Sequence, residues 1–171
     1  MLDFLSSNKI IPSKESLYEI KINASNGTRM DLENYRGKYI LFVNVASKCG
    51  FTPQYKELEE LYQKYKEILV IIGLPCNQFG NQEPGTNKEI SSFCEINYDI
   101  TFPITEKLEV KGKDTHEIYK WLTQASRNGS TSSKVRWNFQ KYLINKEGYL
   151  LDFFYSTTSP SSKKILKYLK S

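Results

Sequence analysis

Histidine is almost missing from this chain. A single one, His116, occurs among 171 residues, and it stands in the segment DTHEIYKWL, which reads as a surface helix. A Ser-His-Asp triad is therefore hard to place. Cysteine is scarce as well: Cys49, Cys76 and Cys94 are the three, and no two of them are spaced as C-x-x-C. An odd count argues against a disulfide-stapled scaffold, and with one histidine no structural zinc site is expected, nor any other metal or cofactor. Arginine numbers only four (Arg29, Arg36, Arg127, Arg136), so the net charge of +5 rests on lysines spread along the chain, apart from the terminal SSKKILKYLK. Nucleic-acid binders cluster their cations beside aromatic platforms, and such a partner is not expected here. No apolar run approaches the roughly 18 residues of a membrane span, so no stable membrane insertion is expected. The opening MLDFLSSNKIIPSK has too short an apolar stretch for a signal peptide. A cytoplasmic address follows by default, with a trimmed organellar leader left open. Sulfur remains as the chemistry-bearing element.

The length suits one domain, residues 1–171, with room for a real core. Alternation over Leu17 to Ile22 and the Asn26-Gly27 pair predict an N-terminal β-hairpin. Lys38 to Ala46, KYILFVNVA, is apolar on both faces and suits a central strand. Tyr55, Leu58, Tyr62 and Tyr65 recur at helical spacing, which predicts a helix over 53–66, with Thr52 and Pro53 as N-cap and first-turn residue. Ile68 to Leu74, ILVIIGL, is a second buried strand, and the βαβ unit makes the pair parallel. Beyond it come a helix over roughly 87–96, an extended piece near 102–104 and a helix over 114–124. A hairpin turning at 145–148 and a helix over 160–170 close the chain. This order predicts an α/β sandwich of three layers around a mixed sheet.

The stretch NVASKCGFTPQY places Cys49 at the carboxyl end of the central strand, just before a helix. Open α/β sheets carry their ligands on that edge. The positive end of a helix and its unpaired N–H groups favour thiolate over thiol, and Lys48 stands beside it. A small apolar filler of the strand end is the competing reading. Position alone leaves both standing.

Three blocks carry a resemblance that decides between them. VNVASKCGFTPQYKELEELYQKY, then LPCNQFGNQEPGTNKEI, then VRWNFQKYLINKEG are similar to the glutathione peroxidase family, nearly end to end from Leu17 to Leu169. The resemblance implies a thioredoxin-like fold and a catalytic tetrad of Cys49, Gln82, Trp137 and Asn138, with Cys49 where many relatives carry selenocysteine. The chemistry it implies is a thiol peroxidase. The Cys49 thiolate attacks the peroxide O–O bond, becomes a sulfenic acid and expels water or an alcohol. Gln82, Trp137 and Asn138 supply uncharged N–H donors to the departing oxygen. Gln78 is of the right type but lies outside the family's tetrad, and Phe51, Phe79 and Phe139 are expected to wall the sulfur from water.

The second block runs on into EISSFCEINYDITFP, which resembles the resolving-cysteine segment of members reduced by thioredoxin-like proteins. The resemblance thus implies a Cys49–Cys94 disulfide, regenerated by thioredoxin or a related redoxin. Cys94 lies in a predicted helix of mediocre propensity, around Ser91 to Ile96, which would have to unwind. Cys76 is expected to be structural. The link TQASRNGSTSSKVRWNF is short, which points to a monomer, and arginines for binding glutathione are few. Hydrogen peroxide and organic, including lipid, hydroperoxides are the expected substrates. Two other classes compete: a peroxide sensor that relays its disulfide to a regulatory protein, and a glutathione-using one-cysteine peroxidase. A thioredoxin-like binding domain with inert cysteines would conflict with the intact tetrad.

Overall fold

The computed structural model describes residues 15–170. Its centre is a four-stranded sheet in the order β4-β3-β5-β6. The strands are β3 (Tyr39–Val45), β4 (Leu69–Pro75), β5 (Lys141–Ile144) and β6 (Leu150–Phe154). β3 runs parallel to β4 and antiparallel to β5, and β5 runs antiparallel to β6. The sheet is mixed, as expected. A small hairpin, β1 (Ile22–Asn23) with β2 (Arg29–Met30), precedes it.

Both faces of the sheet are covered, which is why β3 and β4 read as unbroken apolar runs. Alternate residues of β3 divide between two cores. Ile40 and Phe42 join β1, β2 and the helix α3 (Glu117–Thr123), whose Ile118, Trp121 and Leu122 are fully buried. Leu41, Val43 and Val45 face the other side, with Tyr55 and Leu58 of α1 (Gln54–Tyr65), Ile90 and Cys94 of α2 (Asn87–Tyr98), and Ile165 of a C-terminal helix. That helix, Lys163–Leu169, is α5, and the single turn α4 spans Ala125–Asn128. Burying one leucine of this kind contributes about 1.5–3 kcal/mol, so the α1 face alone anchors the segment that carries Cys49.

The first strand is the clearest correction. Leu17–Glu19 form a turn of 3-10 helix, and the strand proper is only Ile22–Asn23. Leu17 and Tyr18 are adjacent and both buried, which strict alternation cannot supply. The hairpin turn itself holds, with Gly27 at φ 85°. His116 is not a surface helix residue but the N-cap of α3, its Nδ1 accepting from Ile118 N at 3.0 Å. The 102–104 piece is extended but only bridges, Ile104 to Gly73 and Thr105 to Ala24, tying the hairpin to the edge of β4.

Gly148 shows how tightly the β5–β6 turn is closed. Asn145 Oδ1 accepts from Glu147 N at 3.0 Å and Tyr149 N at 2.9 Å, and Gly148 sits at φ 88°. A Cβ there would lie 2.5 Å from the Tyr18 ring. Gly148→Ala is expected to destabilise the fold by about 1–3 kcal/mol, read as a lower urea midpoint; an unchanged midpoint would mean that the Tyr18 contact yields freely.

Candidate active site

The turn after β3 is built by short-range bonds. Thr52 N donates to Cys49 O at 3.0 Å and Gln54 N to Phe51 O at 2.8 Å, a tight lead into α1. Thr52 does not cap the helix. Pro53 is the N-cap and makes no side-chain bond, while Thr52 Oγ1 accepts from Cys49 N at 2.9 Å and donates to Ala46 O at 2.8 Å. The hydroxyl thus clamps the cysteine's backbone to the strand end. Cys49 is 8% exposed, and its Sγ accepts from Phe51 N at 3.3 Å, so one free N–H of the turn is aimed at the sulfur. A thiolate is the form that gains most from such a donor.

The second wall is the loop 77–85. Lys48 N donates to Gln82 O at 3.0 Å, fastening this loop to the residue beside Cys49. Gly80, at φ 67°, permits the approach, since a Cβ there would stand 3.3 Å from Cη2 of Trp137 and 3.4 Å from Gln82. Lys107 Nζ donates to the Glu83 and Gly85 carbonyls at 3.1 and 2.7 Å, pinning the loop from outside.

The third wall is the turn 137–140 entering β5. Asn138 Nδ2 donates to Gln82 Oε1 at 3.0 Å and to Phe79 O at 3.4 Å. Three of the four expected tetrad members therefore meet directly or by adjacency: Gln82 and Asn138 bond, and Trp137 packs on Phe79 with ring centroids 5.8 Å apart. Both Asn138 N–H groups are committed in this state. The Gln82 amide and the Trp137 indole keep N–H groups not committed in this way, and Asn138 fixes the orientation of Gln82. Trp137 is 37% exposed although it is large and aromatic, unlike the buried Trp121.

Cys94 stands apart from this group. It is 2% exposed on α2, and burial pushes its thiol up to about 11, against a lowering influence from the Tyr55 hydroxyl. All three cysteines are free. Cys76 is fully buried, its Sγ facing Gln78 Oε1 at 3.5 Å, and burial raises its thiol too. Gln78 bonds instead to Val110 N (2.7 Å) and Lys111 O (2.9 Å). It is a loop tie and lies outside the donor group. Among the described residues no cluster of three or more His, Cys, Asp and Glu could hold a metal ion, and no helix is long and apolar enough to cross a membrane.

Two positioning residues went unnoticed in the sequence. Asn44, fully buried in β3, donates Nδ2 to Trp137 O at 3.0 Å and accepts at Oδ1 from Gln140 N at 3.1 Å, while its carbonyl accepts from Phe139 N at 2.6 Å. Lys141, fully buried in β5, donates Nζ to Phe139 O at 2.8 Å. Each breaks an apolar run, YILFVNVA and FQKYLI, and that interruption was the available signal.

Known proteins similar to this chain agree with the geometry. A family model described as glutathione peroxidase matches residues 17–123. "Glutathione peroxidase-like peroxiredoxin 2" of Saccharomyces cerevisiae is 45% identical over 148 residues, 86% of this chain and 91% of the relative. The solved structure described as Trgpx in apo form superposes with a TM-score of 0.72 at 38% identity, covering 93% of this chain and 98% of its own. A thioredoxin-family thiol:disulfide interchange protein from Chlorobium tepidum TLS shares the fold at a TM-score of 0.64 and 11% identity, over 94% and 97% of the two chains. The chain belongs to the glutathione peroxidase family and is an enzyme, a peroxidase of thioredoxin-like fold.

Lys141 provides a test of how the site's floor is built. Burial pushes its ammonium down to about 7, with Glu57 opposing, against roughly 10.4 in an unfolded chain. Between those values the unfolded chain holds a proton that the folded one has lost, so rising pH favours folding. The stability of Lys141→Met relative to wild type is expected to fall as pH rises from 7 to 10, by up to about 1.4 kcal/mol per unit. A pH-independent difference in urea unfolding would contradict a desolvated lysine.

Proposed function

We propose that the protein reduces hydrogen peroxide and organic hydroperoxides, lipid hydroperoxides among them, by a two-cysteine cycle centred on Cys49. The Cys49 thiolate attacks one peroxide oxygen. The O–O bond breaks, the sulfur becomes a sulfenic acid, and the other oxygen leaves as water or an alcohol after taking a proton. Gln82 and Trp137 donate to that oxygen as charge develops on it, and Asn138 holds Gln82 in place. The observation that carries the reading is the bond set that ties the loop of Gln82 both to the turn of Asn138 and to Lys48 beside Cys49.

Cys94 then attacks the sulfenic sulfur, giving a Cys49–Cys94 disulfide and water, and thioredoxin or a related redoxin reduces the disulfide. Cys94 is buried on a helix, so this step needs local opening of α2. Both cysteines belong to the core cluster on one face of the sheet. The relative named a peroxiredoxin supports a protein dithiol as donor. The enzyme works in the cytoplasm and as a monomer, the latter a reading that the short link before Trp137 supports.

Reduced protein treated with one equivalent of hydrogen peroxide is expected to yield a Cys49–Cys94 peptide pair by non-reducing mass spectrometry. A stable sulfenic acid, or a mixed disulfide of Cys49 with added glutathione, would point instead to a one-cysteine, glutathione-using enzyme. Trp137→Phe is expected to slow the oxidation of Cys49 by about 10²-fold in single turnover, the usual cost of removing one such donor; an unchanged rate would take the indole N–H out of the chemistry.

A further inference from the structure

Glu83 has no part in that cycle, yet it is the most deeply placed carboxylate beside it. It is 1% exposed. Its Oε1 accepts from Ser47 N at 3.1 Å, and its own N–H donates to Asn77 Oδ1 at 2.9 Å. Its Oε2 is buried without a hydrogen bond, and the Ser47 hydroxyl, also unpaired, is the side-chain donor beside the carboxylate. A buried carboxylate oxygen left without a partner is destabilising, and it calls for an explanation in function.

The surroundings supply one. Glu83 lines a cleft of about 400 Å³ between the Cys49 loop, represented by Ser47 and Lys48, and α2, represented by Ile90 and Phe93. Ile90 and Cys94 are one turn apart on the buried face of α2, so the cleft lies between the two sulfurs' elements. The Glu83 charge raises both the Cys94 thiol and the Tyr55 hydroxyl, though less than their burial does. Tyr55 Oη is buried too, and the group it acts on is the Cys94 thiol, which it lowers. Burial pushes the Cys94 thiol up to about 11 while α2 is closed. Even an opened cysteine, at about 8.5, is mostly thiol at pH 7, so a base speeds its attack.

We propose that Glu83 is the general base of the resolving step, its free Oε2 taking the proton of the Cys94 thiol as that sulfur attacks Cys49. This rests on the two-cysteine reading above. The Cys94 S–H bond breaks and the S–S bond forms, while the S–O bond of the Cys49 sulfenic acid breaks. The departing hydroxide takes the proton from Glu83 and leaves as water, which returns the carboxylate to its ionised form. Cys94 sulfur is oxidised, Cys49 sulfur is reduced, and no further reagent enters. Burial raises the carboxyl above its ordinary range and so makes it a stronger base, against the pull of the Ser47 donors, Lys107 and Lys48. Glu89 is the other carboxylate of the cleft. The Ser47 bond fixes Glu83 to the loop of the electrophile, so the base stays in place when α2 opens.

The test is a stopped-flow comparison of wild type and Glu83→Gln after one equivalent of hydrogen peroxide. Tryptophan fluorescence reports oxidation of Cys49, and thiol blocking with mass spectrometry reports the disulfide. The amide oxygen of the variant keeps an acceptor for Ser47 N. The resolving phase is expected to slow about 10²-fold more than the oxidation phase at pH 7. Its rate in the variant should then climb about tenfold per pH unit, following the thiolate of Cys94, whereas the wild-type rate stays nearly flat above the ionisation of Glu83. Equal resolving rates with equal pH slopes overturn the proposal. If the variant does not fold, the wild-type profile decides alone, because a tenfold climb per unit through neutrality excludes a carboxylate base. A wild type that forms no Cys49–Cys94 disulfide overturns the two-cysteine reading itself, before any variant is compared.

Discussion

The site hangs on the side chain of Asn44. An asparagine in the middle of a strand buried on both faces is destabilising unless its polar atoms are all bonded. Here its Nδ2, Oδ1 and backbone carbonyl go to three points of the 137–140 turn: Trp137 O, Gln140 N and Phe139 N. The turn needs that grip, because Phe139 sits at φ 64°, a left-handed conformation that costs a bulky residue about 1–3 kcal/mol. Lys141 from below and Ser156, whose hydroxyl donates to Asn138 O, complete the hold. The strained turn presents Trp137 outward and Asn138 inward.

From this follows a division of labour among the walls. The sheet places the Cys49 turn and the Trp137–Asn138 turn at one edge, because β3 and β5 are antiparallel neighbours and the first ends where the second begins. The Gln82 loop arrives from β4, the parallel neighbour on the other side. All of these are fixed by short, mostly buried bonds, which suits donors that must be aimed before charge develops. Cys94 belongs to the opposite regime. It is packed among Tyr55 and its neighbours on α2, and burial keeps its thiol protonated. The tightly bonded walls around Cys49 and the buried thiol of Cys94 thus share one core.

The parts legible in the sequence were those set by local pattern or by long, unusual blocks. The doubly buried strands, α1, the closing hairpin and the α/β layering followed from periodicity, and the meeting of Gln82 with Asn138 followed from resemblance of the 75–84 and 135–148 blocks. Periodicity failed where tertiary packing overrode it, as at Leu17–Glu19, where two adjacent side chains are both buried. It failed again at Thr52, whose hydroxyl bonds to Ala46 O and Cys49 N rather than capping α1. Asn44 and Lys141 showed in the sequence only as breaks in apolar runs, and the placing of Asn44, Glu83 and Lys141 was hidden because their partners lie from 36 to 96 positions away, or because their burial is known only once the sheet is assembled. That Asn138 commits its donors to Gln82 and Phe79 likewise depends on a loop-to-turn contact across 56 residues.

The most direct test of this account is the single-turnover oxidation of Cys49 in Asn44→Leu, followed by tryptophan fluorescence beside a near-ultraviolet check of the fold. The substitution keeps the strand apolar and removes both side-chain bonds to the 137–140 turn. A folded variant whose Cys49 oxidises at least about tenfold more slowly than wild type is the predicted result, since misaimed donors lose transition-state stabilisation. A folded Asn44→Leu protein that oxidises at the wild-type rate would contradict the claim that this turn aims the chemistry at Cys49.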